Sequence, residues 1–163
     1  MPDDDLSLRE LLATTEDAPD IYAVGLQEID MKPSTIIKGE SVADYSWIEN
    51  LLKGVHPYDS YKELTTVRLV GMMITILVKE SIIPSISNVS KSSIGTGKFK
   101  LGNKGAVAVS LKLNNTLLCF VNSHFAAGVN DCDKRNLDYC EIMDKIQFNN
   151  TLKTRSIIEH GKI

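Results

Sequence analysis

An eleven-residue stretch rich in glycine and lysine, GTGKFKLGNKG (95–105), is the part of the sequence that most suggests phosphate chemistry. Amides of a glycine-rich loop and lysine ammonium groups both bind phosphate oxygens. The Walker A pattern GxxxxGK[ST] fails, because Asn103 and Lys104 stand where lysine and a hydroxyl residue are required. The dinucleotide pattern GxGxxG fails because Lys100 replaces its third glycine. A strand-like segment follows instead of a helix, so spacing alone favours a flexible basic loop between strands.

Polar side chains also stand at the ends of two apolar segments. Glu28 ends AVGLQE, and its carboxylate is a hard oxygen ligand suited to Mg²⁺. His124 ends CFVNSH, with Asn122 two residues earlier on the same face of a strand, and both can donate to phosphate oxygens. The ordinary alternatives are a solvated carboxylate and a histidine bonded in a turn or core. His56 and His160 have weaker surroundings and are interpreted as structural or surface residues.

Three segments with helical spacing are candidates to flank these residues. The first covers 4–13, where Ser7 and Glu10 have capping-box spacing. The second covers 41–53, with Gly54 just beyond its end. A third extends from about 133 to 160, with Leu137, Cys140, Ile142 or Met143, and Ile146 predicted on one side.

Apolar runs predict the strands that position the polar residues. IYAVGL (21–26) and VRLVGMMITILVKE (67–80) each suggest one buried strand, and a serine-rich loop follows Pro84. AVAVSLKL and TLLCFVNSH surround Asn114 and Asn115, which favour a tight hairpin turn. Strands that alternate with helices early and form a hairpin later predict a mixed sheet with helices on one face. One face of the first hairpin arm is formed by Val107, Val109, Leu111 and Leu113.

The bulk properties suit one domain over residues 1–163. A formal net charge of −3 argues against a general nucleic-acid binder. The three cysteines have no CxxC spacing, so a zinc site or disulfide framework is not expected and a reducing compartment is favoured. Neither a membrane-length apolar run nor a signal peptide is visible. We expect a cytoplasmic protein, or one at the cytosolic face of a membrane.

Five segments together resemble the catalytic domain of the inositol polyphosphate 5-phosphatases. In chain order they are LQE, LVGMMITILVK, GNKGAVAVSLKL, FVNSHFAAG and RNLDYCEI, and the resemblance extends from about Asp20 to His160. That family belongs to the endonuclease/exonuclease/phosphatase superfamily. The resemblance therefore implies an α+β fold, a two-sheet β-sandwich flanked by helices.

The resemblance also implies a reaction and the residues that perform it. The reaction is Mg²⁺-dependent hydrolysis of the 5-phosphate from phosphoinositide lipids or soluble inositol polyphosphates. Glu28 matches the metal-ligating glutamate, and Asn122 and His124 match the polar pair at the phosphate site. Asn103 and Lys104 match the loop pair that contacts a substrate phosphate.

Further residues match the membrane side of that family. Phe99, Leu101 and the turn that begins at Phe125 lie where the family meets the membrane, which implies peripheral contact with it. An apolar tip between lysines suits an anionic leaflet. An orienting role is implied for the start of the last helix, at Arg135, Asn136, Asp138 and Tyr139.

Several family motifs are not found in the 163 residues. WxGDxN, PxWxDR, a late Asp-His pair and the opening strand with its metal-site asparagine are missing. We therefore expect a partial domain without the first strand and the C-terminal half, with negligible hydrolysis alone. Its exposed sheet surface would need the missing half or a partner. The alternatives are a non-catalytic phosphoinositide-binding module, a metal-dependent phosphodiesterase or nuclease of the same superfamily, and a truncation that does not fold.

Overall fold

The structure is a computed structural model that describes residues 5–12, 17–29, 46–97, 100–149 and 154–160. Its α-helices are α1 (Asp5–Leu11), α2 (Ser46–Gly54) and α3 (Cys132–Lys145), with 3₁₀ turns at Glu80–Ser85 and Ile157–Glu159. Its strands are β1 (Ile21–Leu26), β2 (Tyr61–Leu69), β3 (Met72–Lys79), β4 (Ile86–Gly95), β5 (Gly105–Leu113), β6 (Thr116–His124), β7 (Gln147–Asn149) and β8 (Thr154–Ser156). None of the described helices has the length and apolar character needed to cross a bilayer.

Two three-stranded sheets, in the orders β1-β3-β2 and β4-β5-β6, pack face to face. The core between them joins Ile74, Ile76 and Val78 of β3 to three residues of β5, namely Val107, Val109 and Leu111. The predicted apolar face of β5 is therefore confirmed, and so is the expected sandwich. All described strand pairs are antiparallel, so the expected mixed sheet is wrong. Short hairpins link β2 to β3 and β5 to β6, and such short connections permit only antiparallel pairing.

Helices cover the outer face of each sheet. Leu51 of α2 and Val55, directly after that helix, pack with Leu12 against Met73 and Leu77 of β3. On the other side, α3 and the segment after it bring Ile142, Ile146 and Phe148 onto Ala106 and Ala108 of β5. The central strands β3 and β5 are thus buried on both faces, which explains why their sequences are almost continuously apolar.

Local signals placed several elements correctly. The strand at 21–26 and the hairpin turn at Asn114–Asn115 are confirmed, and Asn114 adopts a positive φ of 52°. The first helix is confirmed over Asp5–Leu11, and positions 4 and 13 of that prediction lie outside the described residues. The second is confirmed from Ser46, and positions 41–45 of that prediction lie outside the described residues.

The segment 67–80 is not one strand. It holds the end of β2, a turn at Val70–Gly71 and β3, with Leu69 paired to Met72. Val70 takes a φ of 49° and is only 3% exposed. A Cβ on Gly102 would lie 2.8 Å from Val70 Cγ2, so this turn is apolar because the glycine-rich loop packs on it.

Two further predictions are corrected. The serine-rich segment after Pro84 is strand β4, an edge strand whose polar residues alternate with Ile94 and others against β5. The last helix ends at Lys145 and does not continue to 160, because Phe148 turns into the core on the short strand β7. Within the helix, Ile142 and Asp138 are buried.

Candidate active site

Glu28 and His124 meet although they follow strands of different sheets. Glu28 comes two residues after the end of β1, and His124 is the last residue of β6. Glu28 Oε1 lies 3.5 Å from His124 Nε2. The carboxylate side chain is 68% exposed and the imidazole 15% exposed, so the acid faces solvent while the histidine forms the wall of the site.

Lys104 approaches His124 from the glycine-rich loop. Its Nζ lies 3.1 Å from Nε2 and 3.5 Å from Nδ1 of the imidazole. The approach follows from the strand register, since Gly105 pairs with His124 across β5 and β6. Gly105 has a φ of 144°, and a Cβ there would lie 1.9 Å from the Ile94 carbonyl oxygen. Only glycine fits at this position, and it places Lys104 beside the histidine.

The pKa of His124 is lowered from its ordinary value. Partial burial disfavours the charged imidazolium, and the Lys104 ammonium adds electrostatic repulsion. The Glu28 carboxylate and a hydrogen bond with the Asn103 backbone act in the opposite direction and are weaker. At neutral pH the imidazole is therefore neutral, and Lys104 supplies the positive charge of the site.

Asn122 links the two sheets below this group. Its Nδ2 donates to the carbonyl oxygens of Leu26 at 2.8 Å and Met73 at 2.9 Å. Its Oδ1 accepts from Nε2 of Gln27 at 3.2 Å. The sequence predicted that Asn122 donates hydrogen bonds to phosphate oxygens beside His124. In the structure both of its amide hydrogens instead bind backbone carbonyl oxygens.

A cleft of about 420 Å³ opens between the glycine-rich loop and the start of α3. Three lysines and one aspartate line it, two of the lysines form ion pairs with residues of α3 or its cap, and the rim is apolar. Leu101 and Leu137 on that rim are 50% and 69% exposed. The polar lining comprises Thr96, Lys100, Asn103, Lys104, Lys134 and Asp138.

The loop that carries Asn103 and Lys104 is anchored at its base and its middle. Thr96 N–H donates to the Lys104 carbonyl at 2.9 Å and closes the base. Lys100 forms an ion pair with Glu141 of α3 at 3.2 Å. Phe99, which was predicted to face the membrane, lies outside the described residues.

The turn after His124 is held by α3. Ala126 N–H donates to Oδ2 of the buried Asp138 at 2.8 Å, and Arg135 donates to the Gly128 carbonyl at 2.6 Å. Phe125 packs partly buried against the core beneath α3, so its contacts face inward. Val129, just after the turn, is 95% exposed.

Comparison with known proteins identifies the family to which this chain belongs. Residues 1–162 match the family model for endonuclease/exonuclease/phosphatase family 2. The chain belongs to this family. The chain is also 38% identical to the crystallised inositol polyphosphate 5-phosphatase domain of SPsynaptojanin, in complex with inositol (1,4)-bisphosphate and calcium ion. That likeness has a TM-score of 0.69 and covers 90% of this chain and 42% of that one.

Two curated relatives are inositol phosphatases. Type II inositol 1,4,5-trisphosphate 5-phosphatase of Mus musculus is 37% identical over 142 residues, which are 86% of this chain and 14% of that protein. Inositol-1,4,5-trisphosphate 5-phosphatase 1 of Schizosaccharomyces pombe is 38% identical over 150 residues, 88% of this chain and 14% of that protein. The chain thus spans about a seventh of these relatives and resembles the 5-phosphatase branch of the family.

Of the predicted family residues, the structure brings Glu28, Asn103, Lys104 and His124 to one place. Among the expected orienting residues, Arg135 and Asp138 contact the turn after His124, while Asn136 and Tyr139 are exposed.

Sequence reasoning missed the roles of other residues. Lys134 and Val129 carried no signal, and Gln27 appeared only within the LQE segment without a role of its own. Leu137 was predicted on the buried side of the helix, where Asp138 is buried instead. The exposure of Cys140 corrects the same prediction. Asp138 lay outside the predicted stripe, and its burial follows from the hydrogen bond that it accepts from the Ala126 N–H, which apolar periodicity does not predict.

The group formed by Glu28, Lys104 and His124 contains one side chain suited to bind a metal ion. Glu28 offers a solvent-facing hard oxygen donor. The described part of the chain holds no group of three or more histidine, cysteine, aspartate or glutamate side chains that could enclose a metal. These residues therefore fit one coordination position and do not form a complete metal centre.

Proposed function

We propose that the Glu28–His124–Lys104 group is the phosphate-binding part of an inositol polyphosphate 5-phosphatase active centre. The observation that carries the proposal is the convergence of Lys104 and Glu28 on His124, from a loop and from the opposite sheet. The similarity to inositol 5-phosphatases gives this arrangement its reaction class.

The cationic and hydrogen-bonding groups have distinct tasks in that reaction. Hydrolysis of a phosphate ester depends chiefly on positioning and on stabilising charge that spreads over the phosphoryl oxygens. Lys104 supplies a point charge, and the adjacent neutral imidazole of His124 would donate a hydrogen bond from its protonated ring nitrogen to an oxygen of the same phosphate. Asn103 and Lys104 both line the cleft beside His124, and Asn103 would supply further polar contact to substrate phosphate.

Glu28 is the proposed protein ligand of a Mg²⁺ ion. When bound, such an ion polarises a phosphoryl oxygen and neutralises charge. The SPsynaptojanin domain was crystallised with calcium, another hard cation that takes oxygen ligands. Glu28 would hold one position for the ion, and its Oε1 lies 3.5 Å from Nε2 of His124, so the ion would sit beside the imidazole.

The rim of the cleft fits a lipid substrate at a membrane surface. Leu101, Leu137 and Val129 expose apolar side chains around the cleft and the adjoining turn. Lys100 and Lys134 lie beside them, in ion pairs with Glu141 at 3.2 Å and Asp131 at 2.9 Å. Exchange of these carboxylates for lipid phosphates would suit the negative surface of a cytosolic leaflet. We therefore propose peripheral contact at the cytosolic face of membranes, with the headgroup of a phosphoinositide in the cleft. Soluble inositol polyphosphates would present the same phosphates to the same residues.

The 163-residue chain is proposed to bind such phosphates with negligible turnover by itself. Among the described residues, Glu28 is the carboxylate that interacts with His124, and no second one joins it to activate water. Binding without turnover is also the property expected of a non-catalytic phosphoinositide-binding module. Such a module is therefore the second candidate function.

Binding and turnover are separated by one experiment. The purified chain is mixed with inositol 1,4,5-trisphosphate and Mg²⁺, and both calorimetric affinity and phosphate release are measured. We expect binding that Lys104→Ala weakens at least tenfold and that Lys53→Ala, an exposed lysine of α2, leaves unchanged. Robust phosphate release would contradict the inactivity proposal, and equal binding by both variants would contradict the site.

A further inference from the structure

We propose that Asn122 and Gln27 form an inter-sheet clasp that positions Glu28 and His124, and that Asn122 acts through this clasp and not by touching phosphate. The inference rests on the proposed function for its consequence and on the hydrogen bonds for its geometry. It concerns residues that flank the site on both sheets: Gln27 precedes Glu28, and Asn122 lies two residues before His124.

Asn122 has no amide hydrogen to spare. A primary amide carries two N–H donors, and here they meet the carbonyls of Leu26 and Met73 at 2.8 and 2.9 Å. Those two residues are register partners at the end of the β1–β3 ladder. Asn122 belongs to β6 of the second sheet, and its two donors bind the final residue pair of the β1–β3 ladder in the first sheet. These hydrogen bonds therefore fix the distance between the two sheets at this edge.

Close packing at Gly25 keeps Asn122 in this orientation. A Cβ on Gly25 would lie 3.0 Å from both Cβ and Cγ of Asn122. The asparagine therefore rests directly on the β1 backbone, with no room to turn its amide toward the cleft while β1 stays in place.

Gln27 completes the clasp from the first sheet. Its Nε2 donates to the Ser123 carbonyl at 2.6 Å and to Asn122 Oδ1 at 3.2 Å. Ser123 is the residue immediately before His124. The Gln27 side chain thus links the position directly before Glu28 to Ser123, the position directly before His124.

The clasp also holds an unusual backbone. Glu28 has a φ of 57°, in the left-handed region that non-glycine residues rarely adopt. Ile29 N–H donates to the Gly71 carbonyl at 3.0 Å on the far side of it. Glu28 is therefore fixed on both sides, by Gln27 toward β6 and by Ile29 toward the β2–β3 turn, and its carboxylate is directed at His124.

The test uses Gln27→Ala, with Gln147→Ala on β7 as the matched exposed control. Affinity of the full chain for inositol 1,4-bisphosphate is measured by calorimetry, and backbone amides are followed by NMR. Loss of a hydrogen-bond pair of this kind predicts about a three- to tenfold weaker affinity for Gln27→Ala, and a change within about twofold for Gln147→Ala. Equal affinity in wild type and Gln27→Ala would overturn the proposal.

A double-mutant cycle with His124→Ala separates positioning from direct contact. If Gln27 acts by placing His124, then Gln27→Ala causes no further loss of affinity once His124 is removed, when affinity is measured without metal so that Glu28 has no ion to hold. Losses that persist undiminished on the His124→Ala background would show direct contact or a global effect and would overturn the inference.

Failure of the proposed function is distinguishable from failure of the clasp. If the wild-type chain does not bind inositol 1,4-bisphosphate, the NMR arm still decides. Faster hydrogen exchange and shifted amide signals at Glu28 and His124 in Gln27→Ala, with the β4–β5 amides unchanged, support the clasp without any ligand. Unaltered Glu28 and His124 signals would overturn it.

Discussion

The Nζ of Lys104 lies 3.1 Å from Nε2 of His124, closer than the 3.5 Å between that nitrogen and Glu28. Burial disfavours the charged imidazolium and the adjacent Lys104 repels it, so the pKa of His124 is lowered. A phosphate oxygen brought to this pair meets one full positive charge and one hydrogen-bonding ring. The contact thus combines charge and orientation at one point.

Removing the lysine should raise the histidine pKa. In Lys104→Met the repulsion disappears while burial remains, so the pKa of His124 rises toward its ordinary value. The His124 ring signals in an NMR titration without metal measure this directly, with Lys112→Met as a control for general charge loss. A pKa that stays constant or falls in Lys104→Met would contradict the assigned cause.

The lowered pKa also predicts the sign of a pH effect on stability. Because His124 binds its proton less readily in the folded chain than in the unfolded chain, its contribution to stability is present above the unfolded pKa, about 6.5. That contribution is lost as the pH falls from there through the lower folded pKa. His124→Gln should flatten this part of the urea-midpoint profile between about pH 7 and 5. An identical slope in both proteins would exclude His124 as the source.

The three thiols should react at two different rates. Burial raises the pKa of Cys119 to about 11, whereas Cys132 and Cys140 are exposed. At pH 8, intact-mass spectrometry should show two rapid alkylations and a slow third, because the thiolate is the reacting species. In denaturant all three should react alike, and three rapid alkylations of the native chain would contradict the described packing of β6.

Glycine substitutions at the site should follow a predicted order of destabilisation. Gly25→Ala forces a Cβ to 3.0 Å from Asn122 and should lower the free energy of unfolding by about 1–3 kcal/mol. Gly105→Ala should cost more, since its Cβ meets the Ile94 carbonyl oxygen, a backbone atom, at 1.9 Å. Urea denaturation of both variants tests the order, and a smaller loss in Gly105→Ala would be inconsistent with the strand register beside Lys104.

Leu137→Ala should weaken attachment to anionic vesicles that contain a phosphoinositide. Leu137 is 69% exposed at the cleft rim, and Leu11 of α1, equally exposed, provides the matched Leu11→Ala control. Transfer of leucine into a lipid interface predicts about a three- to tenfold lower partition coefficient for the rim variant. Equal loss in both variants in a vesicle sedimentation assay would show that the rim is not the membrane-facing surface.

Much of the fold was predictable because the signals are local. The strand 21–26 and the hairpin at Asn114 carry their own turn and burial patterns. The turn at Val70 could not be predicted from local signals. Its apolar character is set by the loop at Gly102, which lies 32 positions further along the chain and packs on the turn. Similarly, the end of the last helix depends on the core position taken by Phe148.

The residues of the site also fall into those that the sequence could predict and those that it could not. Glu28, Lys104 and His124 could be selected because each stands at a strand end or in a glycine-rich loop with a recognisable family context. The clasp could not, because Gln27 and Asn122 are 95 positions apart and only the packing of the two sheets brings them together. Distances between sheets are a tertiary property that periodicity does not encode.

The most direct test of the proposed centre is an NMR titration of the isotope-labelled chain with inositol 1,4-bisphosphate, first without metal and then with Mg²⁺. We predict that the largest shift changes without metal lie at 102–105 and at His124, and that Mg²⁺ adds changes at Glu28. Changes confined to other parts of the described chain, such as the Ser110–His160 contact on the outer face of the second sheet, would contradict the assignment of the phosphate site.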